Sequence, residues 1–261
     1  EVMVTASPVY TRNVEWNATA SFSYNTNELV TWGATGVYES FFGDYANVQK
    51  HIQGYPLGGF WAIDVQRDEN GNPILRTSNG QPCDDPAATN CNVVVDATDN
   101  YYVGPALPTR EAALTNTVTL FGKLQLFAHL DYRGGNYQWC ATCARRANAD
   151  LNSWDVVNPD QDPLTRKILM SAQTRTWIRK ADFIKLRELS ATYTLPAVWT
   201  QRIGADRASI TLAGRNLWMW TKYFDGWDPE VLFHSNAAFG STDYGSTPMM
   251  RRLVVSTRVT F

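Results

Sequence analysis

The residues best suited to chemistry in this chain are its four cysteines, which form two close pairs, Cys83 with Cys91 and Cys140 with Cys143. Both pairs lie in polar, turn-rich segments, and an even number of locally paired cysteines predicts disulfide bonds made in an oxidising compartment. The spacing of Cys140 and Cys143 also fits half of a zinc site or a redox motif, but it has no nearby histidine and no βαβ pattern around it. We therefore expect disulfides, and no metal, at these positions.

The acidic run from Asp64 to Asn72 is a second candidate site, for calcium. It lacks the full ligand spacing of an EF-hand loop, so a solvated turn is favoured and structural calcium remains the alternative. No other cofactor is expected. His129 stands alone on the polar side of a strand pattern, and neither a nucleophile elbow nor a His-Glu-x-x-His motif occurs. These observations predict that the chain is not an enzyme.

Composition bounds the class of protein. The chain has 261 residues and a net charge of -2, which gives no bulk electrostatic attraction to nucleic acid. Aromatic residues make up 13% and include ten tryptophans. No apolar run is long enough for a transmembrane helix, but membrane strands keep half of their residues polar and are not excluded. The chain begins at Glu1 without a methionine, which indicates a piece of a longer protein or a processed chain.

The elements that must position these residues are strands, because the side chains alternate with a period of two. Alternation is unbroken from Val14 to Tyr24, and Leu114–Phe121 and Lys123–Arg133 predict a hairpin. Further strands are expected over Leu29–Phe41, Asp182–Leu195 and Ala208–Trp220. In Asp182–Leu195, strict alternation places Lys185 and Arg187 on the face of Leu189, Ala191 and Tyr193. The last strand, Met250–Phe261, ends the chain on an aromatic carboxy-terminus.

The connections between these strands have unequal lengths. Gly122 and 196–207 are short, whereas 43–108, 134–180 and 224–249 are long. Short turns at one end and long loops at the other are typical of outer-membrane barrels. The sequence therefore predicts an all-β fold, an antiparallel transmembrane β-barrel portion with long extracellular loops, whose residues Leu126, Val255 and Val259 face lipid. The alternative is a soluble β-sandwich.

Aromatic residues of the long loops are the candidate ligand contacts, because amphipathic rings stack on sugar faces or hold peptides. The alternative role is packing of the loops against each other or against a lid. These residues are Trp139, Trp154, Trp177, Trp227 and Tyr244.

Several motifs resemble the carboxy-terminal barrel of the SusC/RagA class of TonB-dependent outer-membrane transporters, in the family's order. They are Ala181–Leu189 with Tyr193–Pro196, Ala213-Gly214-Arg215-Asn216-Leu217, Asp225–Val231, Asp243-Tyr244-Gly245, Val259–Phe261, and upstream Gly54–Gly58, Tyr102–Pro105 and Asn17–Asn27. The likeness spans nearly the whole chain. The cysteine pairs are not part of the family pattern.

The resemblance implies a barrel of 22 strands around an amino-terminal plug. Residues 1–261 would then be the C-terminal segment of the barrel, about its last eight strands, and the plug domain is absent from this chain. Because lipid tolerates no open sheet edge, the remaining strands must come from elsewhere. The Asp228, Pro229 and Glu230 loop motif is expected to be structural, and Phe261 is the expected insertion signal for the barrel-assembly machinery.

The function implied by the resemblance is active import of a bulky nutrient, an oligosaccharide or peptide, across the bacterial outer membrane. The expected partners are a SusD-like surface lipoprotein, outer-membrane lipid, and TonB-ExbB-ExbD through the missing plug, with no nucleic acid. Two alternatives remain open. One is a secreted or surface β-sandwich that binds glycan or protein, and the other is a barrel-derived subunit of a surface assembly that has lost transport.

Overall fold

A computed structural model describes residues 1–31, 33, 38–40, 48–224, 227–232 and 241–261. Part of the expected strand Leu29–Phe41 and the start of the Asp225–Val231 motif lie outside the described residues. Of that expected strand, Tyr38–Ser40 forms a short strand in one of the smaller sheets.

Strands dominate the described residues, and six of the expected strands recur in the structure: Val14–Tyr24 with the predicted bounds, and the other five with shifts of one to four residues at their ends. In chain order they are β1 Val2–Tyr10, β2 Val14–Tyr24, β3 Tyr38–Ser40, β4 Gln49–His51, β5 Gly59–Val65, β6 Leu75–Thr77, β7 Cys91–Val93, β8 Val95–Gly104, β9 Arg110–Leu120, β10 Leu124–Gly134, β11 Tyr137–Cys140, β12 Ile178–Lys180, β13 Phe183–Thr194, β14 Arg207–Thr221, β15 Thr242–Asp243 and β16 Arg252–Thr260. The helices are short: α1 Ala141–Asn148, α2 Trp154–Val157, α3 Pro163–Met170 and α4 Ala197–Thr200, with 3-10 turns at Arg175–Trp177 and Gln201–Ile203. Within the described residues, no helix has both the length and the apolarity needed to cross a membrane.

The largest sheet among the described residues has seven strands in the order β1-β2-β9-β10-β13-β14-β16, where the sequence predicted about eight. All neighbours in it are antiparallel. Smaller sheets pair β3-β4-β5-β8, β12-β11-β15 and β6-β7. The described chain is therefore one long antiparallel sheet with small sheets and helices inserted into its connections.

One face of the seven-stranded sheet is apolar from edge to edge. A single register row crosses all seven strands and holds only apolar residues: Val9, Trp16, Val118, Leu126, Ala191, Leu212 and Val255. Leu212 and Val255 are 56% and 71% exposed, so this face is not covered by the protein itself. Exposed apolar side chains in a continuous belt across antiparallel strands are the pattern of a lipid-facing barrel wall.

The opposite face is polar. The next row joins Glu15, Thr119, Gln125, Thr192, Thr211 and Ser256. Cross-strand hydrogen bonds follow this face, with Thr192 Oγ1 2.8 Å from Thr211 Oγ1 and Thr115 Oγ1 3.0 Å from His129 Nδ1. His129 thus bonds to a neighbouring strand.

The prediction for Lys185 and Arg187 is wrong because β13 carries a β-bulge. His129 pairs with Glu188 and the next residue of β10, Leu130, pairs with Leu186, so Arg187 is the extra residue. The bulge reverses the alternation. Leu186 therefore continues the apolar face, and Lys185 and Arg187 point to the polar face.

A second bulge follows on β14, opposite the first. Glu188 pairs with Arg215 but Leu186 pairs with Trp218. Asn216 takes a φ of +52°, and a Cβ on Gly214 would meet the Leu217 methyl groups at 2.8–2.9 Å. The bulge therefore favours glycine at position 214, where a larger residue would have to displace the Leu217 side chain, and asparagine at 216. This gives a physical reason for the Ala-Gly-Arg-Asn-Leu motif.

Short connections lie at one end of the sheet and long connections at the other. Residues 11–13, 121–123 and 195–206 join the strands at one end, where Thr194 N–H donates to Lys123 O at 2.8 Å. The long connections 25–109, 135–182 and 222–251 all leave the other end. We call the described part of these three long connections the loop layer.

The buried apolar core lies in the loop layer and not in the large sheet. Its core cluster draws on the first two long connections: Val48, Phe60, Ala62, Ala106, Trp139, Ala141, Ala144, Ala147, Val156, Trp177 and Ile178. Phe224 and Tyr244 of the third connection pack against it. A shared core makes the three connections one packed body at one end of the sheet.

Candidate ligand-binding cleft in the loop layer

A cleft of about 640 Å³ opens in the loop layer between the second and third long connections. Three of the five aromatic residues predicted to contact ligand line it, Trp154, Trp177 and Trp227. Its volume falls within the range of about 300–1,000 Å³ that is usual for small-molecule sites. We refer to it as the cleft.

The aromatic walls of the cleft are held by short local structures. Trp154 begins α2 and is 67% exposed, while Val156 of the same helix is buried in the core. Trp177 ends a 3-10 turn and is 3% exposed, and its ring centroid lies 6.1 Å from that of Phe224. The backbone N–H of Trp227 donates to Phe224 O at 3.1 Å. Trp154 therefore offers an open ring surface, whereas Trp177 is almost fully buried in the wall of the cleft.

The other two predicted aromatic contacts lie elsewhere. Trp139 is 3% exposed, belongs to the core cluster, and lines a smaller cavity of about 200 Å³. Tyr244 is half-buried and packs against the same core. The structure thus brings Trp154, Trp177 and Trp227 together and leaves Trp139 and Tyr244 in packing positions.

Sequence reasoning missed the charged residues of the cleft. Its lining contains Arg146 from α1, Arg179 from β12 and Lys222 after β14, against one carboxylate, Asp155. Nothing in the local sequence marks Arg146 and Arg179 as neighbours, because they come from separate elements of one long connection. Only the folded structure shows that these two arginines line the same cleft.

The cleft also holds buried polar atoms without hydrogen-bond partners among the described residues: Ser153 Oγ, Trp177 Nε1 and Tyr223 OH. Ser153 occupies the N-cap position of α2 but makes no side-chain capping bond there. Tyr223 is 7% exposed, and burial raises the pKa of its hydroxyl. Unpaired buried polar groups are uncommon in folded proteins, so each of these calls for an explanation.

The Asp-Pro-Glu motif lies beside the cleft and forms a buried ion cluster with the bulged strand. Lys185 Nζ donates to Asp228 Oδ1 and Glu230 Oε2, both at 2.6 Å. Arg187 donates to Glu230 and also to Asp131 of β10, with its Nε 3.1 Å from Asp131 Oδ2. The side chains of Lys185 and Asp228 are each 4% exposed. We call Lys185, Arg187, Asp131, Asp228 and Glu230 the charge cluster.

The charge cluster fixes the third connection to the sheet. Pro229 stands between the two carboxylates, and Asp228 Oδ1 also accepts the N–H of Glu230 at 3.0 Å, which turns both side chains toward β13. Burial raises the pKa of Glu230, but hydrogen bonds from Arg187 and Lys185 outweigh it and lower the pKa to about 2. Glu230 is therefore ionised at physiological pH and forms ion pairs with Lys185 and Arg187.

The cysteines pair as the sequence predicted. Cys83 bonds to Cys91 and Cys140 bonds to Cys143. The second disulfide lies at the start of α1, where the Cys143 N–H donates to Cys140 Sγ at 3.1 Å. Cys140 and Cys143 are therefore both disulfide-bonded.

Asp243 of the family motif Asp243-Tyr244-Gly245 is buried beside this disulfide. Its Oδ2 lies 3.4 Å from Cys140 Sγ, which carries no proton in a disulfide and donates nothing. Burial raises the pKa of Asp243 to about 6, partly offset by hydrogen bonds from the Ser246 amide and the Thr142 hydroxyl. The neighbouring acidic charge also contributes to the raised pKa of Tyr223.

The acidic run 64–72 forms a turn closed by its own amides. Asp68 Oδ1 accepts the N–H groups of Asn70 and Asn72 at 2.9 and 2.8 Å. Asp64, at its start, pairs with Arg175 at 2.8 Å.

Phe261, the expected insertion signal, follows β16 and is 80% exposed.

Comparison with known proteins finds that the chain is similar to TonB-dependent receptors. It is 23% identical over its whole length to TonB-dependent receptor P3 of Formosa agariphila, and 22% identical over 88% of its length to TonB-dependent receptor SusC of Bacteroides thetaiotaomicron. The chain spans 28% and 24% of these relatives. No family model matches it. These relatives are receptors, not enzymes.

Solved structures share its fold. The RagAB peptide transporter superposes with a TM-score of 0.72 at 19% identity, over 99% of this chain and 28% of that chain. The RagAB peptide importer in its closed-closed state gives a TM-score of 0.71. The fold is therefore that of the RagAB β-barrel transporter, and the resemblance that the sequence motifs indicate is confirmed.

Proposed function

We propose that this chain, which fits a partial SusC/RagA-type TonB-dependent transporter, is the C-terminal part of a barrel that imports a bulky nutrient across the bacterial outer membrane. The observation that carries the proposal is the two-faced sheet. An apolar row from Val9 to Val255 crosses all seven strands, and a polar row from Glu15 to Ser256 lies beside it on the other face. Such a wall suits lipid on one side and a wet lumen on the other.

The ends of the sheet give the wall an orientation. The three long connections form a packed body at one end, and outer-membrane barrels carry their long loops outside the cell. We infer that the loop layer is extracellular and that the cleft receives cargo there. Exposed Trp154 supports this role, since an indole left open in a cleft offers area for contact.

Energy and partners follow from the transporter type. TonB-dependent import draws on an inner-membrane complex through a plug, which we place in the remainder of the protein. A SusD-like surface lipoprotein is the expected lid over the loop layer, in keeping with the two-component RagAB structures to which the fold is similar.

The proposal is tested with the full-length protein in its native bacterium. We expect it in the outer-membrane fraction, with a lipoprotein that co-purifies in detergent. Deleting the gene should abolish growth on one bulky nutrient, and the gene carrying Trp154→Ala should restore growth less well than wild type. Trp199→Ala is the matched control, because Trp199 is 58% exposed in α4, which lies at the opposite end of the sheet.

Recovery of the protein in the soluble fraction would contradict the barrel proposal. Location in the outer membrane with unchanged growth on every nutrient after deletion would contradict import, and would favour a subunit of a surface assembly.

A further inference from the structure

The cleft carries an excess of positive charge that the protein does not neutralise. Arg146 bonds only to neutral oxygens, with its Nε 3.1 Å from Asn152 Oδ1, and Arg179 Nε donates to Thr176 O at 2.9 Å. Neither forms an ion pair within the part of the chain that the structure describes. Lys222 differs, since its Nζ lies 3.5 Å from Asp182 Oδ2. Two guanidinium groups in the cleft are therefore available to a ligand anion.

The positions of these arginines favour binding at the mouth of the cleft. Both side chains are exposed, and the Arg179 guanidinium lies 5.4 Å from the centre of the Phe224 ring. Stacking on that ring limits the motion of Arg179. Arg179 and the open indole of Trp154 line the same cleft, which therefore presents charge and ring surface to one ligand.

Three residues that line the cleft also carry polar atoms that are shielded from solvent in this structure, namely Ser153, Trp177 and Tyr223. Trp177 Nε1 is a donor, whereas Tyr223 OH and Ser153 Oγ can both donate and accept. Trp177 and Tyr223 are more than nine-tenths buried, and none of these three atoms has a partner among the described residues. Sugar hydroxyls also both donate and accept, so they match this mixed set.

From these features we propose that the cleft is a binding subsite for an acidic oligosaccharide, one that carries carboxylate or sulfate groups. The proposal rests on the import function proposed above and names its substrate class. Arg146 and Arg179 bind the acidic group, and Trp154 stacks on a sugar ring. Tyr223 OH and Trp177 Nε1 bond to hydroxyls when the ligand displaces the side chains that cover them. An acidic peptide could satisfy the arginines, but hydroxyl-type partners in the wall favour a sugar.

The test uses the purified full-length transporter and isothermal titration calorimetry. The probes are an oligogalacturonate and a κ-carrageenan oligosaccharide, each with a neutral counterpart made by methyl esterification or desulfation, and an oligoglutamate peptide. We expect one acidic sugar to bind about tenfold or more tightly than its neutral counterpart, with the advantage falling as salt rises. It should also bind more tightly than the peptide.

Variants separate the roles of the residues. Arg146→Gln with Arg179→Gln should remove the advantage of the acidic sugar, whereas Arg145→Gln should not. Arg145 is the matched control because it neighbours Arg146 on α1 but does not line the cleft and pairs with Asp150 at 3.4 Å. Trp154→Ala should weaken acidic and neutral sugars alike.

Tyr223→Phe tests the buried wall without removing the ring. If the hydroxyl bonds to ligand, the variant should bind the acidic sugar several-fold more weakly while its thermal unfolding is unchanged or raised. A purely packing role would leave binding unchanged.

The proposal is overturned if neither acidic sugar binds, if acidic and neutral forms bind equally, or if the peptide binds more tightly than both sugars. Failure here is distinguishable from failure of the import function. Import that persists in vivo with the cleft variants would reject the subsite alone, whereas acidic-sugar binding without uptake in the native bacterium would reject import alone.

Discussion

Replacing Lys185 by methionine tests whether the charge cluster holds the third long connection onto the sheet. Methionine keeps the apolar stem and removes the charge. Among the described residues, it would leave Asp228, 4% exposed, with no cation and only the N–H groups of Glu230 at 3.0 Å and Met249 at 3.4 Å. Glu230 would retain Arg187. The cost therefore falls mainly on one buried carboxylate.

The free-energy cost of Lys185→Met can be estimated from this arrangement. Removing one partner of a buried ion pair costs about 3–5 kcal/mol, and the amides that remain on Asp228 put the variant near the lower end. About 3 kcal/mol corresponds to roughly two orders of magnitude in a local opening equilibrium. Hydrogen–deuterium exchange of the full-length protein in detergent should show that increase in residues 227–232, and little change in β9 and β10.

Two further variants control the interpretation. Arg215→Met breaks an ion pair between β14 and β13, in which Arg215 Nε lies 3.0 Å from Glu188 Oε2. The Arg215 side chain is 56% exposed. That pair should contribute no more than about 1 kcal/mol. Adding Asp228→Asn to Lys185→Met removes the stranded charge and should recover most of the protection. The reasoning is refuted if Lys185→Met exchanges no faster than Arg215→Met, or if the double variant is worse than the single one.

The remaining predictions concern the membrane face, pH and the disulfides. Val255→Arg should block assembly into the outer membrane, because Val255 lies mid-strand in the row of Leu126 and Leu212, where an arginine costs about 2–4 kcal/mol. Val259→Arg, one residue from the end of β16, should be milder, and Ser256→Arg on the polar face should assemble normally, as membrane fractionation will show. The pKa of Asp243 is raised from 3.8 to about 6, so its ionisation destabilises the folded state as pH rises through 6. Asp243→Asn should therefore raise the thermal unfolding midpoint near pH 8, by up to about 3 kcal/mol in free energy, and change it little near pH 4. Glu230, with its pKa lowered to about 2, contributes stability that is fully present above about 4.5 and is lost only as pH falls through about 2, so Glu230→Gln should lower that midpoint equally near pH 6 and pH 8. Replacing Cys83 and Cys91 together by serine should cost about 2–3 kcal/mol in the local opening of 75–93 and leave the affinity of the cleft unchanged, measured by exchange and calorimetry.

Alternation in the sequence predicted the strands well because it needs only local information. Val14–Tyr24 is the strand expected, and Leu126 shares a face with Val255 across Ala191 and Leu212 as expected. The period of two fails at Arg187, since a bulge is set by how neighbouring strands pair and not by the residues of one strand. The placement of Lys185 was therefore wrong for a reason that the sequence of β13 does not contain.

The cleft was predictable only in part. Loop aromatics identified three of its walls, because tryptophan in a long polar loop is unusual enough to notice. Trp139 has the same sequence context but lies in the core, and burial depends on contacts with distant segments such as Ser241, whose carbonyl accepts the Trp139 N–H at 3.1 Å. Arg146 and Arg179 line the same cleft only after the second connection has folded back on itself. The positive charge that they share there could therefore not be predicted from the sequence.

The bulge and the cleft are physically connected. By turning Arg187 to the polar face, the bulge lets β13 present two cations to Asp228 and Glu230, and Trp227, which lines the cleft, immediately precedes Asp228. The wall of the barrel thereby sets the position of one aromatic wall of the site. Asp228 is anchored by Lys185 Nζ, which lies 2.6 Å from its Oδ1 and 2.8 Å from its Oδ2, so the adjacent Trp227 has little freedom. Lys185→Met should therefore loosen Trp227 and weaken sugar binding even though Lys185 does not line the cleft. Unchanged binding in a variant whose 227–232 segment exchanges faster would show that Trp227 does not contribute to the site.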